Sequence, residues 1–490
     1  MTVTDQAATL PASAGRREWL GLMALLLGAA MDLIDTGIVN VAIPSIQADR
    51  GLGGASGATA EWLVAGYTLS YGVLLITGGW LGDRFGYRST FLAGTAMFVV
   101  TSLACGLAPT SDALVVARFV QGAAAAMMTP QVLSVIQTHL PREDRGKAFG
   151  LFSLVLAIGL VAGPQVSGVL VSSDAFGLGW RSVFLINLPI GLLSLIMAAL
   201  FVPRSERRRS LDLDLAGVAV LSVALMMLFY PLVEGRELGW PWWAVALLVA
   251  SLPVFAVFAW TQVRCERAGR TPLIRPGLFR MRSFTGGMLA QAVFFAGVPG
   301  VFLALTLTLQ TGLGFSPLHA GLTGLPWTIG IALTARQAPK LVAKFGRLVP
   351  LLGAIAIGAS MAGLLLVVKM AGSGITSWHF APALLVGGLG MGLVAPTLVN
   401  VALSDVPQNE AGSASGAVTT SGQIGSGAGV AVIGLIFFGA LPRDADFAAD
   451  GGTAFVDAFS RALLAGMAIF ALSAVLMFLL PKRPPTPNGS

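Results

Sequence analysis

Long apolar runs, bounded by charges, glycines and prolines, recur along the whole of this chain and leave it few ways to fold. They lie at about 18–45, 61–82, 88–107, 111–134, 147–171, 181–202, 213–232, 241–262, 283–312, 319–338, 347–370, 379–403, 412–440 and 457–481. An α-helix needs about 20 apolar residues to cross the hydrocarbon core of a bilayer. Lipid offers no partner to backbone N–H and C=O groups, so each run must satisfy its own, and a helix does so. The expected fold is an all-α membrane protein with fourteen transmembrane helices.

The loops between the runs test that count. With the N-terminus in the cytoplasm, the loops on the inner side carry 23 of the 30 basic residues, among them Arg84, Arg88, Arg142, Arg145, Arg207, Arg208, Arg209, Arg264, Arg270 and Arg347. The outer side carries only Arg50, Arg181, Arg236, Lys369 and Arg443. Basic residues concentrate in cytoplasmic loops, and an odd number of spans would break the pattern. Both termini are therefore expected in the cytoplasm. The same placement accounts for the net charge of +7 without nucleic acid, because the basic residues orient the chain and face anionic lipid.

Composition narrows the function. Only 11% of residues are charged and 55% are hydrophobic, whereas soluble domains carry about 25% charged residues. A globular enzyme is excluded. GxxxxGK[ST] is absent, as are zinc-ligand spacings and a hydrolase triad, so neither ATP drive nor a metal or other cofactor is expected. His139, His319 and His379 fall at predicted helix ends. Cys105 and Cys265 are too few for a disulfide framework. Residues 1–17 are small and polar, ending in Arg16 and Arg17. The apolar run that follows is too long for a cleavable leader and reads as the first span.

An internal repeat appears at an offset of 266. Gly122, Pro130, Pro141, Gly146, Ala148, Gly150, Gly159, Gly163 and Gly168 are matched by Gly388, Pro396, Pro407, Gly412, Ala414, Gly416, Gly425, Gly429 and Gly434. Spans 4–5 thus correspond to spans 12–13. This divides the chain into a tail at 1–17, a six-helix bundle at 18–205, two inserted helices with a basic loop at 206–282, a second six-helix bundle at 283–482 and a tail at 483–490.

Between the second and third spans lies GWLGDRFGYRST, residues 79–90. Gly79, Gly82 and Gly86 allow close approach and a sharp turn. Asp83, Arg84 and Arg88 must stay at a membrane face, where they can latch neighbouring helix ends; the plainer reading is a solvated turn. The spacing of Gly79, Leu81, Asp83, Arg84, Gly86 and Arg88 resembles the signature loop of the major facilitator superfamily of transporters, with Tyr87 where a basic residue is common. A degraded copy, Pro339, Leu341, Phe345, Gly346 and Arg347, stands in the second half. The resemblance implies two parallel six-helix halves with a substrate site between them near the midplane.

Charges inside spans are functional candidates by default. MDLIDTGIVNVAIP, residues 31–44, places Asp32 and Asp35 one turn apart in the first span. Burial disfavours a charged carboxylate, which is how an intramembrane acid comes to load and release a proton. Either acid could instead be structural, paired with Arg118 or hydrogen-bonded to Asn40 or Gln121. Arg118, in LVVARFVQGAAAA, stays charged when buried and needs a partner. Its repeat counterpart is Leu384, so this charge belongs to one half only. GLVAGPQVSGV, residues 159–169, combines close-packing Gly159, Gly163 and Gly168 with a bend at Pro164; simple helix packing is the alternative.

The first of these stretches resembles the fourteen-helix drug:proton antiporters of the superfamily, the second the superfamily at large and the third its antiporters. Asp35, Asn40, Val41, Ala42 and Pro44 match the first-helix motif, with Gly37 where Thr is frequent. Arg118, Gln121 and Gly122 match the fourth, and Gly159, Gly163, Pro164 and Gly168 match a fifth-helix string associated with antiporters, with Ser167 replacing a glycine. WRSVFLINLPIG at 180–191 and LQTGLGFSPLHAGLTGLP at 309–326 are also similar to that family.

The resemblance implies proton-coupled export of amphipathic drugs, antibiotics or related metabolites from a cell membrane, by a monomer whose proton is carried at Asp35, with Asp32 and Arg118 beside it. Tyr67, Tyr71, Phe294, Phe295 and Trp327, with Asn40, Gln121, Gln291 and Gln310, are candidate cavity residues. The second half has no acid well inside a span, which argues against a specialist for multivalent cations. A nutrient symporter or facilitator and a non-transporting sensor remain open at this point.

Overall fold

Every long apolar run is helical in the computed structural model of the chain, as the lipid argument requires. The structure describes residues 15–52, 57–174, 177–204, 214–235, 238–270, 272–335, 337–371, 374–406, 411–441 and 452–480. The first half contains α1 (Arg16–Ala48), α2 (Gly57–Phe85), α3 (Tyr87–Gly106), α4 (Ser111–His139), α5 (Arg142–Ser173), the single turn α6 (Ser182–Leu185) and α7 (Asn187–Phe201). The inserted pair is α8 (Leu215–Glu234) and α9 (Trp242–Arg267). The second half contains α10 (Arg282–Leu307), α11 (Pro317–Thr323), α12 (Leu325–Ala335), α13 (Ala338–Phe345), α14 (Leu348–Ala371), α15 (Ser377–Ala402), α16 (Ala411–Ala440) and α17 (Thr453–Leu476).

Among the described residues, 11 helical stretches are long and apolar enough to cross a membrane. The three other expected spans coincide with α2, α5 and the α11–α12 pair. The helices α2 and α5 run for 29 and 32 residues. The stretch from 317 to 335 is divided at Gly324. Side chains set several helix starts: Thr110 caps α4 by accepting from Ala113 N at 3.2 Å, and Asp214 caps α8 by accepting from Gly217 N at 2.8 Å.

The offset of 266 carries Arg16 onto Arg282 and Ser111 onto Ser377, the first residues of α1 and α10 and of α4 and α15. Packing follows the same division. In the first half α1 lies against α5 and α7, and α4 against α2 and α3; in the second α10 lies against α16 and α17, and α15 against α12 and α14. The halves meet where α2 packs on α16 and α5 on α11. No sequence pattern assigns the inserted pair a place. Its α8 rests on both α2 and α16, with Phe229 3.4 Å from where a Cβ on Gly427 would lie and Trp62 Nε1 donating to Glu234 Oε1 at 2.9 Å.

Polar contacts between the halves gather at the end where α1 and α5 terminate. Gln310 Nε2 donates to Val41 O at 2.8 Å, Leu318 N to Ser172 Oγ at 3.1 Å and Gln165 Nε2 to Gly321 O at 3.3 Å. At the same end Asp49, just past α1, accepts from Trp180 Nε1 at 2.9 Å, Arg181 Nη1 at 2.7 Å and Gly51 N at 2.8 Å. These bonds, that from Trp180 foremost, hold its carboxyl below the usual carboxylate range.

Candidate functional site

Arg118 is brought to the interior of the first half because α4 packs against α2 and α3. It is 1% exposed, so its charge must be met inside the protein. Nη1 reaches Asp35 Oδ2 at 2.5 Å and Gln121 Oε1 at 2.7 Å, and Nε donates to Leu63 O at 3.1 Å. The guanidinium lies 4.2 Å from the centroid of the Tyr67 ring, a cation–π contact in a desolvated setting. The other oxygen of Asp35, Oδ1, accepts from Asn187 Nδ2 at 2.7 Å and Gln121 Nε2 at 3.1 Å. Ser102 Oγ closes the cluster, accepting from Gln121 Nε2 at 2.8 Å and Asn187 Nδ2 at 3.3 Å. Asp35 is thus saturated by donors from α4 and α7.

Asp32, one turn earlier, is buried in a different environment. Tyr67 Oη donates to its Oδ1 and Thr129 Oγ1 to its Oδ2, the latter at 3.2 Å. Tyr71 stacks on Tyr67 with centroids 6.3 Å apart and rings inclined by 8°. Two carboxylates of one helix therefore have separate partners, a guanidinium with two amides for Asp35 and two hydroxyls for Asp32. Asn40, offered by the sequence as a partner for these acids, belongs to neither group; its buried Oδ1 meets no protein donor.

The expected loop between the second and third spans is largely helix. Helix α2 continues to Phe85 and α3 begins at Tyr87, leaving Gly86 alone between them at φ 94°, a conformation that disfavours any side chain. Gly79 is not a close-approach site: a Cβ there would meet only Pro130, at 3.8 Å. That role falls to Gly78, whose Cβ would collide with Ala126 O of α4, and to Gly82, where it would collide with Gln131. Arg84 lies over the Trp80 ring at 5.6 Å, and Arg88 donates to Ala199 O in the last turn of α7. Arg88 therefore ties α3 to a helix C-terminus. The side chain of Asp83 lies outside the described residues, as do Arg207, Arg208 and Arg209.

The glycines of α5 are contact sites. A Cβ on Gly159 would lie 2.8 Å from Leu33 Cβ, and one on Gly163 would lie 2.9 Å from Ile34 O and 3.0 Å from Gly37 Cα. Gly37 faces Pro164 and Gly163 in turn, which explains glycine there in place of threonine. Gly168 faces the start of α11, where a Cβ would lie 2.8 Å from Leu318 Cα. The string thus joins α1 to α5 and the first half to the second.

These features can be set beside known proteins. The sequence model described as Major Facilitator Superfamily matches residues 25–430. The chain belongs to that superfamily. It is 41% identical over 437 residues to the protein named "Probable actinorhodin transporter" of Streptomyces coelicolor, covering 89% of this chain and 75% of that one. It is 34% identical over 434 residues to the "Tetracenomycin C resistance and export protein" of Streptomyces glaucescens, covering 88% and 78%. It is also 33% identical over 428 residues to the "Multidrug resistance protein Stp" of Mycobacterium tuberculosis, covering 86% of this chain and 76% of that one. The crystal structure of the peptide transporter POT in complex with sulfate superposes with a TM-score of 0.65 at 16% identity, covering 94% of this chain and 95% of that one, and so shares the superfamily fold.

Within the superfamily fold, several expected cavity residues have other positions. Phe294 is fully buried in the core of the second half, edge-on to Phe470 with centroids 5.8 Å apart. Trp327 is wedged against Phe302 at 4.9 Å and against Gly387 and Gly388 of α15. Neither is a free cavity wall: Phe294 packs within an aromatic core, and Trp327 fills the gap that Gly387 and Gly388 leave on α15. Gln310 is held by the Val41 carbonyl and braces the halves. Tyr67, Tyr71 and Gln121 belong to the charged cluster. Phe295 is part-buried beside Phe294, at 5.4 Å between centroids. Gln291 and Asn40 each keep a buried side-chain oxygen without a protein hydrogen bond, as polar handles would. His319 and His379 lie in the first turns of α11 and α15, where His319 Nε2 and Ser377 Oγ are 2.8 Å apart.

Sequence reasoning missed Asn187, Ser102, Thr129 and Glu61. The signal for Asn187 was a lone amide inside an apolar run, in a string already similar to the antiporters. Glu61, 3% exposed, packs near Gly434 of α16 on the contact between the halves. An acid at the first turn of a span reads as a loop residue until its neighbours are known.

Proposed function

We propose that this chain is a fourteen-span antiporter of the cell membrane that exports amphipathic small molecules (drugs, antibiotics or related metabolites) in exchange for protons, by alternating access. Both termini are cytoplasmic, and the halves are the six-helix bundles at 18–205 and 283–482, with the inserted pair at 206–282. The observation that carries the reading is the Arg118–Asp35 pair at 2.5 Å, buried at 1% and 0% exposure within the first half. A fully buried charge pair is a weak stabiliser of a fold, and within a membrane it marks an ion or proton pathway. The relatives' names support small-molecule export. The bridge from α5 to α11, through the antiporter-associated string, supports a rocking contact that closes the outer side. Coupling requires that proton and substrate bias the same two states.

The test is a resistance panel in a pump-deficient host, followed by transport of the best hit in proteoliposomes. Uphill accumulation should follow an inward-acid pH gradient, collapse with an uncoupler and be lost in Arg118→Ala that inserts normally. A substrate that moves with the protons would establish a symporter instead. Absence of flux under any gradient, for any compound to which the protein confers resistance, would remove transport itself.

A further inference from the structure

Resting on that proton-coupled reading, we propose that Asp32, not Asp35, takes up and gives off the exchanged proton, while Asp35 remains the counter-ion of Arg118. Donors and acceptors distinguish the two acids. All three groups that bind Asp35, from Arg118, Gln121 and Asn187, are N–H donors. A guanidinium has no acceptor at all. A proton added to Asp35 Oδ2 would point at Arg118 Nη1 and break that bond. Turning the Gln121 amide would not help, because its Oε1 already accepts from Arg118 at 2.7 Å. Turning Asn187 would accommodate a proton on Oδ1, yet Arg118 would then be buried without a counter-ion.

Asp32 has no such obstacle, because a hydroxyl can donate or accept. Thr129 Oγ1 lies 3.2 Å from Asp32 Oδ2 and 3.3 Å from Ala125 O. When Oδ2 gains a proton, the Thr129 hydroxyl turns its hydrogen to Ala125 O and accepts from Asp32. Tyr67 Oη keeps donating to Oδ1, which has become the carbonyl oxygen. The proton is accommodated and no hydrogen bond is lost. Release reverses each step.

Among the described residues, the charged or titratable groups facing Asp32 are Tyr67 and Tyr71 from α2, Arg118 from α4 and Asp35 on its own helix. Helix α5 meets the neighbouring Leu33 and Ile34, and α7 meets Met31, through glycines that bring no charge. Tyr67 connects the two acids, with its hydroxyl on Asp32 and its ring 4.2 Å from the Arg118 guanidinium. A change of charge at Asp32 therefore reaches the Arg118–Asp35 pair through one side chain.

Infrared difference spectroscopy of the full chain in lipid, titrated with pH and without substrate, tests this directly. The wild type should show a protonated-carboxyl C=O band that disappears as pH rises. The band should be absent in Asp32→Asn and retained in Asp35→Asn. Tyr67→Phe should keep the band but move it to higher wavenumber, since the carbonyl loses a donor; a purely structural role for Tyr67 would leave its position unchanged. A band that survives Asp32→Asn and vanishes in Asp35→Asn would overturn the assignment, as would a wild type with no titrating band. The measurement is separate from transport, so failure of antiport and failure of this assignment are told apart.

Discussion

Replacing Asp35 by Asn should cost the protein more than replacing Asp35 and Arg118 together. The single change leaves a guanidinium that is 1% exposed without a counter-ion, held by the Leu63 carbonyl, the Gln121 oxygen and the ring faces of Tyr67 and Phe184. Removing one partner of a buried ion pair costs about 3–5 kcal/mol, whereas an apolar replacement of both is close to neutral or stabilising. The Asn oxygen can still accept one bond, so the lower figure, about 3 kcal/mol, applies; it changes the folded-to-unfolded ratio by roughly two orders of magnitude. The double variant Asp35→Asn/Arg118→Leu should recover most of that loss in stability and none of the transport. A native reporter stands beside the pair: Cys105 is fully buried, with Sγ 3.7 Å from Gln121 Oε1. In a Cys265→Ser background, a thiol-reactive dye followed during heating reads the opening of this cluster. Single variants that melt with the wild type, or a double variant less stable than both singles, would refute the reasoning.

The other expectations concern packing, pH and topology. Gly163→Ala places a methyl 2.9 Å from the Ile34 carbonyl, and backbone cannot yield as a side chain does; overpacking of this kind costs about 1–3 kcal/mol, and uphill transport should fall while insertion persists. The Asp49 clasp has a depressed carboxyl, so its stabilisation is present above the usual carboxylate value of about 3.9 and is lost as pH falls through the lower folded value. The difference in melting temperature between wild type and Asp49→Asn should accordingly hold from neutral pH to about pH 5 and shrink only below about pH 4. A topology reporter fused after Arg209 should be cytoplasmic and one inserted near Gly452 extracytoplasmic; the same side for both would exclude the fourteen-span arrangement.

The candidate site was legible in part, and the parts differ in kind. Asp32, Asp35 and Arg118 stood out because a charge inside an apolar run has no neutral explanation. Which acid meets Arg118 was not legible, since residues three apart on a helix differ by a rotation that only the neighbouring helices resolve. Asn187 completes the cluster from 152 residues away along the chain, a separation no local pattern reports. The cavity residues fared worse. An aromatic in a span serves equally well as core, cavity wall or lipid contact, and only the neighbouring helices placed Phe294 against Phe470 and Trp327 in the gap left by Gly387 and Gly388.

The sequence by itself determined the helices, the superfamily and the duplication. Lipid forbids unpaired backbone, apolar length measures the bilayer, and an offset of 266 carries α1 onto α10 and α4 onto α15. Only the tertiary structure decided which glycines mattered, Gly78 and Gly82 rather than Gly79, because close approach belongs to two helices and is written in neither alone. It also decided that the inserted α8 rests on the seam between the halves, and that Asp32 faces hydroxyls while Asp35 faces N–H donors. Those are facts about neighbours, and a chain acquires its neighbours only when its helices pack.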